Sequence, residues 1–278
     1  MLLLDQGTRA ALWDRLVATI EDHLQGVGAL PVAPRLDPAA LRADLGRLTF
    51  ETPLPALEAL DVAIAGLRQH QVHTPHPRYF GLFNPAPGTM GIAADALVAA
   101  FNPQIAAWSH SPFAAEVERH LVRAFGGRLG YAEADGVFCS GGAEANHTAL
   151  LAALTAAFPR FGEGGARALE AQPLLYVSSE AHHSFLKAAR LSGLGTAAVR
   201  EVAVDSAFRM DAGALRARIA EDRRAGHVPF LVVATAGTTS AGAIDPLAET
   251  AAVAEAERMW LHVDAAWGGA AVLTPVLA

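Results

Sequence analysis

The second half of the chain alternates between short apolar runs and stretches with helical spacing, and this alternation most constrains the fold. The apolar runs are Gly136–Cys139, Leu174–Ser178, Val199–Val204, Phe230–Ala234 and Trp260–Asp264, and the helical stretches cover about 144–158, 183–192, 211–225 and 246–258. Strands joined through helices pair mostly in parallel, so the expected fold is α/β, a mostly parallel sheet with helices on both faces. Ligands of such sheets sit at the carboxyl ends of the strands. Glycines and polar residues fall there: Ser140-Gly141-Gly142, Ser179–His183, Thr235–Thr239 and Asp264–Gly269. Four strand ends are expected to converge on one crevice.

The first part reads differently. Leu12, Leu16, Val17, Ile20 and Leu24 recur at helical spacing within residues 8–25. Asp37-Pro38 supplies an N-cap and a first-turn proline for a second helix. Thr52-Pro53 opens a third, running to about Gln71, with Leu57, Leu60, Ile64 and Leu67 on one face. Proline-rich links separate them. The expectation is a helical arm over residues 1–75 whose apolar faces need a partner surface, with a second subunit as candidate. The stretch His73–Pro87 marks a boundary, and the α/β domain is expected over residues 76–278.

Composition removes several function classes. Hydrophobic residues are 52% and charged residues 18%, enough apolar material for a sizeable core. The net charge of −7 comes with no basic block, which argues against nucleic acid or an anionic membrane surface as partner. The single cysteine, Cys139, forms no internal disulfide, and its neighbours Val137 and Phe138 suggest a buried strand. The run Leu2–Leu4 is too short for a signal peptide, and no uncharged apolar stretch is long enough to span a bilayer. A cytoplasmic enzyme is expected. Lys187 is the only lysine, so chemistry that needs an amine must use it or look outside this sequence.

Each strand end has its own chemistry. At Ser140-Gly141-Gly142-Ala143 a strand enters a helix through glycines, where free N–H groups and the helix dipole suit an anion; a turn without ligand fits the same residues. In Ser179–Ser184, His182 is able to stack on a planar ring or exchange protons, or simply to cap the next helix. The pair His182-His183 lacks the companions of a zinc site, and adjacent side chains diverge as a rule, so no metal is expected. Asp245 suits an N-cap, a structural role. Asp264, a carboxylate ending an apolar strand, needs a partner. Backbone amides would serve, and so would a pyridinium N–H, whose protonation it would maintain.

Taken together, the segments HPRYFGLFNP (76–85), WSHSP (108–112), SGGAEAN (140–146), SEAHHSFLKAA (179–189), VVATAGTTSAGAIDPL (232–247) and WLHVDAAWGG (260–269) resemble the group II pyridoxal-phosphate decarboxylases, from about residue 10 onward. The resemblance implies the fold type I large domain, incomplete at its C-terminus, pyridoxal 5'-phosphate as cofactor, and a homodimer. It implies decarboxylation of an L-amino acid to an amine and CO₂. By this resemblance Gly142 and Ala143 hold the phosphate through the main chain. His182 stacks on one ring face with Ala266 on the other, Asp264 pairs with the ring nitrogen, and Thr235 lies beside the cofactor. His182 and Asp264 are the catalytic candidates, and Phe83 and Asn84 fall where the family lines its substrate pocket. Ala143 stands where the family often has Ser or Thr.

The family's cofactor-holding lysine is expected beyond the HVDAA segment, after a further strand, and this sequence ends at Ala278 before reaching it. Lys187, in the helix after His182, is not expected to replace it. The chain is therefore read as an N-terminal portion with little or no decarboxylase activity alone. Phe80, Leu82 and Phe83 favour an aromatic substrate, while Arg78 and Asn84 keep an acidic one open. The alternatives are another fold type I enzyme, an aminotransferase or lyase, and a non-catalytic fragment or partner chain of a split enzyme. A Rossmann oxidoreductase is disfavoured because SGGAEAN lacks G-x-G-x-x-G.

Overall fold

Residues 3–49, 51–81 and 86–274 are described by a computed structural model of the chain, and they fall into two units, Met1–Phe101 and Asn102–Ala278. The expected pocket residues Phe83 and Asn84 lie outside the described residues.

The first unit is helical: α1 (Gln6–Gly26), α2 (Pro38–Gly46), α3 (Ala56–Gln69) and α4 (Thr89–Phe101). Asp37 caps α2, its carboxylate accepting from the N–H groups of Ala39 and Ala40. The third helix begins at Ala56 rather than at Pro53, because a residue before proline is driven out of helical geometry and Leu54 precedes Pro55. The α1 and α3 helices are tied by Arg15–Asp61 at 2.9 Å. Leu16, Ile20, Leu60, Ile64 and Leu67 line an apolar groove of about 390 Å³ within this unit, and none of its four helices contains a buried residue.

The second unit carries α5 (Pro112–Arg128), α6 (Gly142–Ala157), the short α7 (Phe161–Gly164), β1 (Pro173–Ser178), α8 (Ser184–Leu191), β2 (Val199–Val202), α9 (Ala212–Arg224), β3 (Val228–Thr235), α10 (Leu247–Ala256) and β4 (Trp260–Asp264). All pairings are parallel, in the order β2-β1-β3-β4. The central strands β1 and β3 are apolar along nearly their whole length because helices cover both faces. One face packs Leu175, Val177, Leu231 and Val233 against Leu150 and Leu154 of α6 and Phe185 of α8. The other packs Leu174, Tyr176 and Val232 against Leu215 and Ile219 of α9 and Val253 of α10. Phe230 joins Leu231 on the first face despite strand alternation, since the β1–β3 register shifts at Leu174/Leu175.

The chain runs from β1 outward to β2 and then returns past β1 to β3. The winding therefore reverses between β1 and β3, and a crevice opens at their carboxyl ends.

Two expectations about strands need correction. Gly136–Cys139 forms no strand and pairs with none among the described residues. Its backbone is met by side chains instead: Phe138 N–H donates to Glu118 and Gly136 N–H to Asp135. Val137 and Phe138 are 65% and 58% exposed, and Cys139 is only half-buried. The second strand stops at Val202, and Val204 forms an isolated antiparallel bridge to Met210.

Candidate active site

The β3–β4 register sets Thr235 beside Asp264, the last residue of each strand. Their side chains, with His182 after β1 and the start of α6, line a cavity of about 210 Å³. Gly142, Ala143, Asn146, Gly237, Thr239, Ala266 and Trp267 complete the lining. Three strand ends and one helix N-terminus meet here, in place of the four strand ends expected. The six residues expected around the cofactor, Gly142, Ala143, His182, Thr235, Asp264 and Ala266, share this one cavity. Lys187 is exposed on α8 and is not among its lining residues.

The loops are drawn together through glycine. A Cβ on Gly142 would lie 2.8 Å from the Cβ of Ala266. Gly237 has φ +100°, and a Cβ there would lie 2.5 Å from Trp267. Only a bare backbone allows both approaches.

At the start of α6, Glu144 and Ala145 donate their N–H groups to Gly141. The Gly142 and Ala143 N–H groups precede any intrahelical acceptor, and both residues line the cavity. Glu144 folds back to accept from the Ser140 hydroxyl at 2.6 Å and N–H at 2.7 Å, and these bonds hold its carboxyl below the usual range. Its charge is thereby engaged with Ser140.

Asp264 is 7% exposed. Its Oδ1 accepts from Ala266 N–H at 3.1 Å and its Oδ2 from Asn146 Nδ2 at 2.8 Å. Each carboxylate oxygen has a further lone pair, so a ring N–H is still able to dock. Thr235 Oγ1 is buried beside it with no partner. A buried hydroxyl without a partner is costly, which marks this as a place where a polar ligand fits.

His182 Nδ1 accepts from Ser184 N–H at 3.3 Å. Burial lowers its pKa, reinforced by His183 and Lys187 and opposed by Asp264. A neutral imidazole suits ring stacking. The rings of His182 and His183 lie with centroids 4.3 Å apart, closer than the expected divergence of adjacent side chains, yet no group of three metal-ligating side chains occurs among the described residues.

Asp245 is structural, but not as the expected cap. Its carboxylate, 2% exposed, accepts from Met210 N–H at 2.7 Å and from Thr235 N–H at 2.8 Å, so it braces the end of β3. Burial raises its pKa against the two N–H bonds. Pro246, not Asp245, occupies the cap position of α10.

The sequence alone gives no role to Asn146, His262, Gly237, Thr239 or Trp267. Two signals exist in it. Asn146 comes one helical turn after Gly142, and His262 precedes Asp264 by two strand positions, so each shares a face with a residue already singled out.

Fold and cavity together define a doubly wound α/β domain in which a glycine-containing helix start and a buried carboxylate line one cavity at the switch point. Residues 49–278 match the model of the pyridoxal-dependent decarboxylase conserved domain. The chain is 38% identical over 203 residues to an acidic amino acid decarboxylase of Mus musculus, covering 73% of this chain and 37% of that protein. It is 35% identical to a tyrosine decarboxylase of Oryza sativa over 99% of this chain and 53% of that one. Among solved structures, mouse CSAD superposes with a TM-score of 0.90 at 31% identity, over 98% of this chain and 57% of that chain. Oryza sativa TDC with PLP and tryptamine gives 0.88 at 28%, over 99% and 61%. The chain belongs to the pyridoxal-dependent decarboxylase family. It spans between 37% and 53% of the length of these two curated relatives.

Proposed function

We propose that this chain forms the cofactor-binding part of an enzyme that decarboxylates an L-amino acid to an amine and CO₂. The observation that carries this reading is that one cavity is lined by both the Gly142–Ala143 turn and the buried Asp264 carboxylate, with the unpartnered Thr235 hydroxyl between strand ends. These groups match the parts of pyridoxal 5'-phosphate: an anionic phosphate, a ring nitrogen and polar ring substituents.

When bound, the cofactor supplies a protonated ring that takes up the electron pair left by departing CO₂. The chain's own residues do the rest. Gly142 and Ala143 bind the phosphate through N–H groups at the positive end of α6. Asp264 keeps a proton on the ring nitrogen, and a buried carboxylate does this better than an exposed one because water does not screen it. His182 and Ala266 hold the ring from its two faces, and the neutral His182 is available to carry a proton at Nε2.

The substrate class put forward is aromatic. Support comes from the apolar Phe80, Leu82 and Phe83, and from the tyrosine decarboxylase match, which runs over 99% of the chain where the acidic relatives align over about three quarters. A homodimer is also proposed. Phe113, Val137 and Phe138 are more than half exposed, an apolar surface that favours association.

The test is to titrate pyridoxal 5'-phosphate into the chain, follow absorbance, and then add borohydride. The expected result is saturable binding with no reducible adduct on Lys187. A covalent adduct at Lys187, or no saturable binding, would overturn the reading.

A further inference from the structure

At the cavity wall four side chains form one hydrogen-bond junction centred on Asn146, which is 3% exposed. Its Nδ2 donates to Asp264 Oδ2 at 2.8 Å and to Ser184 Oγ at 3.0 Å, and its Oδ1 lies 2.9 Å from His262 Nε2. The chemistry fixes the direction of every bond. A carboxylate only accepts, so the amide must present its NH₂ to Asp264. Its oxygen then faces His262, and only a protonated Nε2 satisfies an oxygen. Ser184 in turn donates its N–H to His182. The two side chains proposed to touch the ring, His182 and Asp264, are thus joined through Ser184 and the Asn146 amide.

We propose that Asn146 is the positioning residue of this site: it fixes the carboxylate of Asp264 toward the ring nitrogen and locks His262 as the Nε2–H tautomer. This deepens the cofactor-binding reading and rests on it for the role of Asp264. The junction leaves little freedom. Both amide hydrogens and the amide oxygen are used, so a flip of Asn146 would set donor against donor at His262 and leave Asp264 without its Nδ2 partner. His262 is half-buried and packs edge-on against Phe185 at 5.8 Å, and burial disfavours its charged form while Asp264 opposes that.

The experiment is ¹⁵N NMR of the histidine-labelled chain without cofactor, at neutral pH, and then cofactor titration. The wild-type chain should show His262 protonated at Nε2 and bare at Nδ1. Asn146→Asp keeps the shape but faces Asp264 with a second acceptor, so His262 should titrate at higher pH than in the wild type. Asn146→Ala should give mixed tautomers and bind pyridoxal 5'-phosphate about tenfold more weakly, the loss of one bond to a charged group. A structural role alone would lower the melting temperature while leaving the tautomer and the affinity of the folded variant unchanged, and that result overturns the proposal. So does a wild-type His262 protonated at Nδ1, which needs no variant to fold. If the tautomer behaves as stated but no variant and no wild-type chain binds the cofactor, the junction stands and the functional reading fails instead.

Discussion

Asp264→Asn changes a charge without changing a shape, and the geometry around it sets the size of the effect. The native carboxylate accepts two bonds, from Ala266 N–H at 3.1 Å and from Asn146 Nδ2 at 2.8 Å. An amide at this position has one oxygen, so one of the two donors is left facing an NH₂. Leaving one buried donor unsatisfied costs about 1–3 kcal/mol. For a unit of this size each kcal/mol lowers the melting temperature by about 2–4 °C. The bound ring loses more specifically: a charge-assisted bond becomes a neutral one, a difference of about 1–2 kcal/mol, or roughly five- to thirtyfold in affinity. Trp267 lines the cavity, so quenching of its fluorescence by added pyridoxal 5'-phosphate gives the affinity directly. A cofactor analogue with carbon in place of the ring nitrogen should bind wild type and Asp264→Asn alike. Equal binding of the true cofactor to both proteins, or an equal loss for the analogue, would refute the assignment of Asp264 to the ring nitrogen.

Three further outcomes are expected. Thr235→Val removes the unpartnered buried hydroxyl in nearly the same volume, so the free chain should be as stable as wild type or more so, while cofactor affinity falls; a destabilised variant with unchanged affinity would show that the hydroxyl serves the fold. Tyr176→Phe removes the bond from the fully buried phenol to Asp222 at 3.0 Å and should cost about 1–3 kcal/mol in chemical denaturation without moving cofactor affinity, because Asp222 keeps its ion pair with Arg200 at 3.1 Å. Burial lowers the pKa of His182 and His262, so the unfolded chain takes up protons more readily than the folded one. The stability they contribute is complete above the ordinary imidazole value, about 6.5, and is lost as pH falls from there through the lower folded values. His262→Gln should flatten the fall in denaturation midpoint between neutral and mildly acidic pH; an unchanged or steeper fall would count against it.

Much of this arrangement is legible in the residues. Four of the five apolar runs form the strands of the sheet, since Leu174–Ser178 and Phe230–Ala234 are apolar along nearly their whole length, as strands covered on both faces must be. The strand-end glycines and Asp264 point to the crevice because they all fall at the carboxyl ends of strands, where ligands of parallel sheets sit. The hidden features need tertiary partners. Gly136–Cys139 carries a strand's composition, but a ladder requires an edge to pair with, and a composition does not show one. The α4 helix is apolar over nearly all of Thr89–Phe101, so no amphipathic period marks it. Ser111-Pro112 is a readable start for α5, masked by its place inside the WSHSP motif. Asp245 looks like a cap from its place before a proline, and only the fold brings Met210 and Thr235 to its carboxylate. The Asn146 junction spans residues 146, 184, 262 and 264, a separation that no local pattern bridges.

A crystal structure of the chain soaked with pyridoxal 5'-phosphate measures the central claim most directly. The phosphate should sit on the Gly142 and Ala143 N–H groups while the ring nitrogen of the same molecule lies within hydrogen-bonding distance of Asp264. A ligand that reaches one of these but not the other, or that settles outside this cavity, would contradict the account.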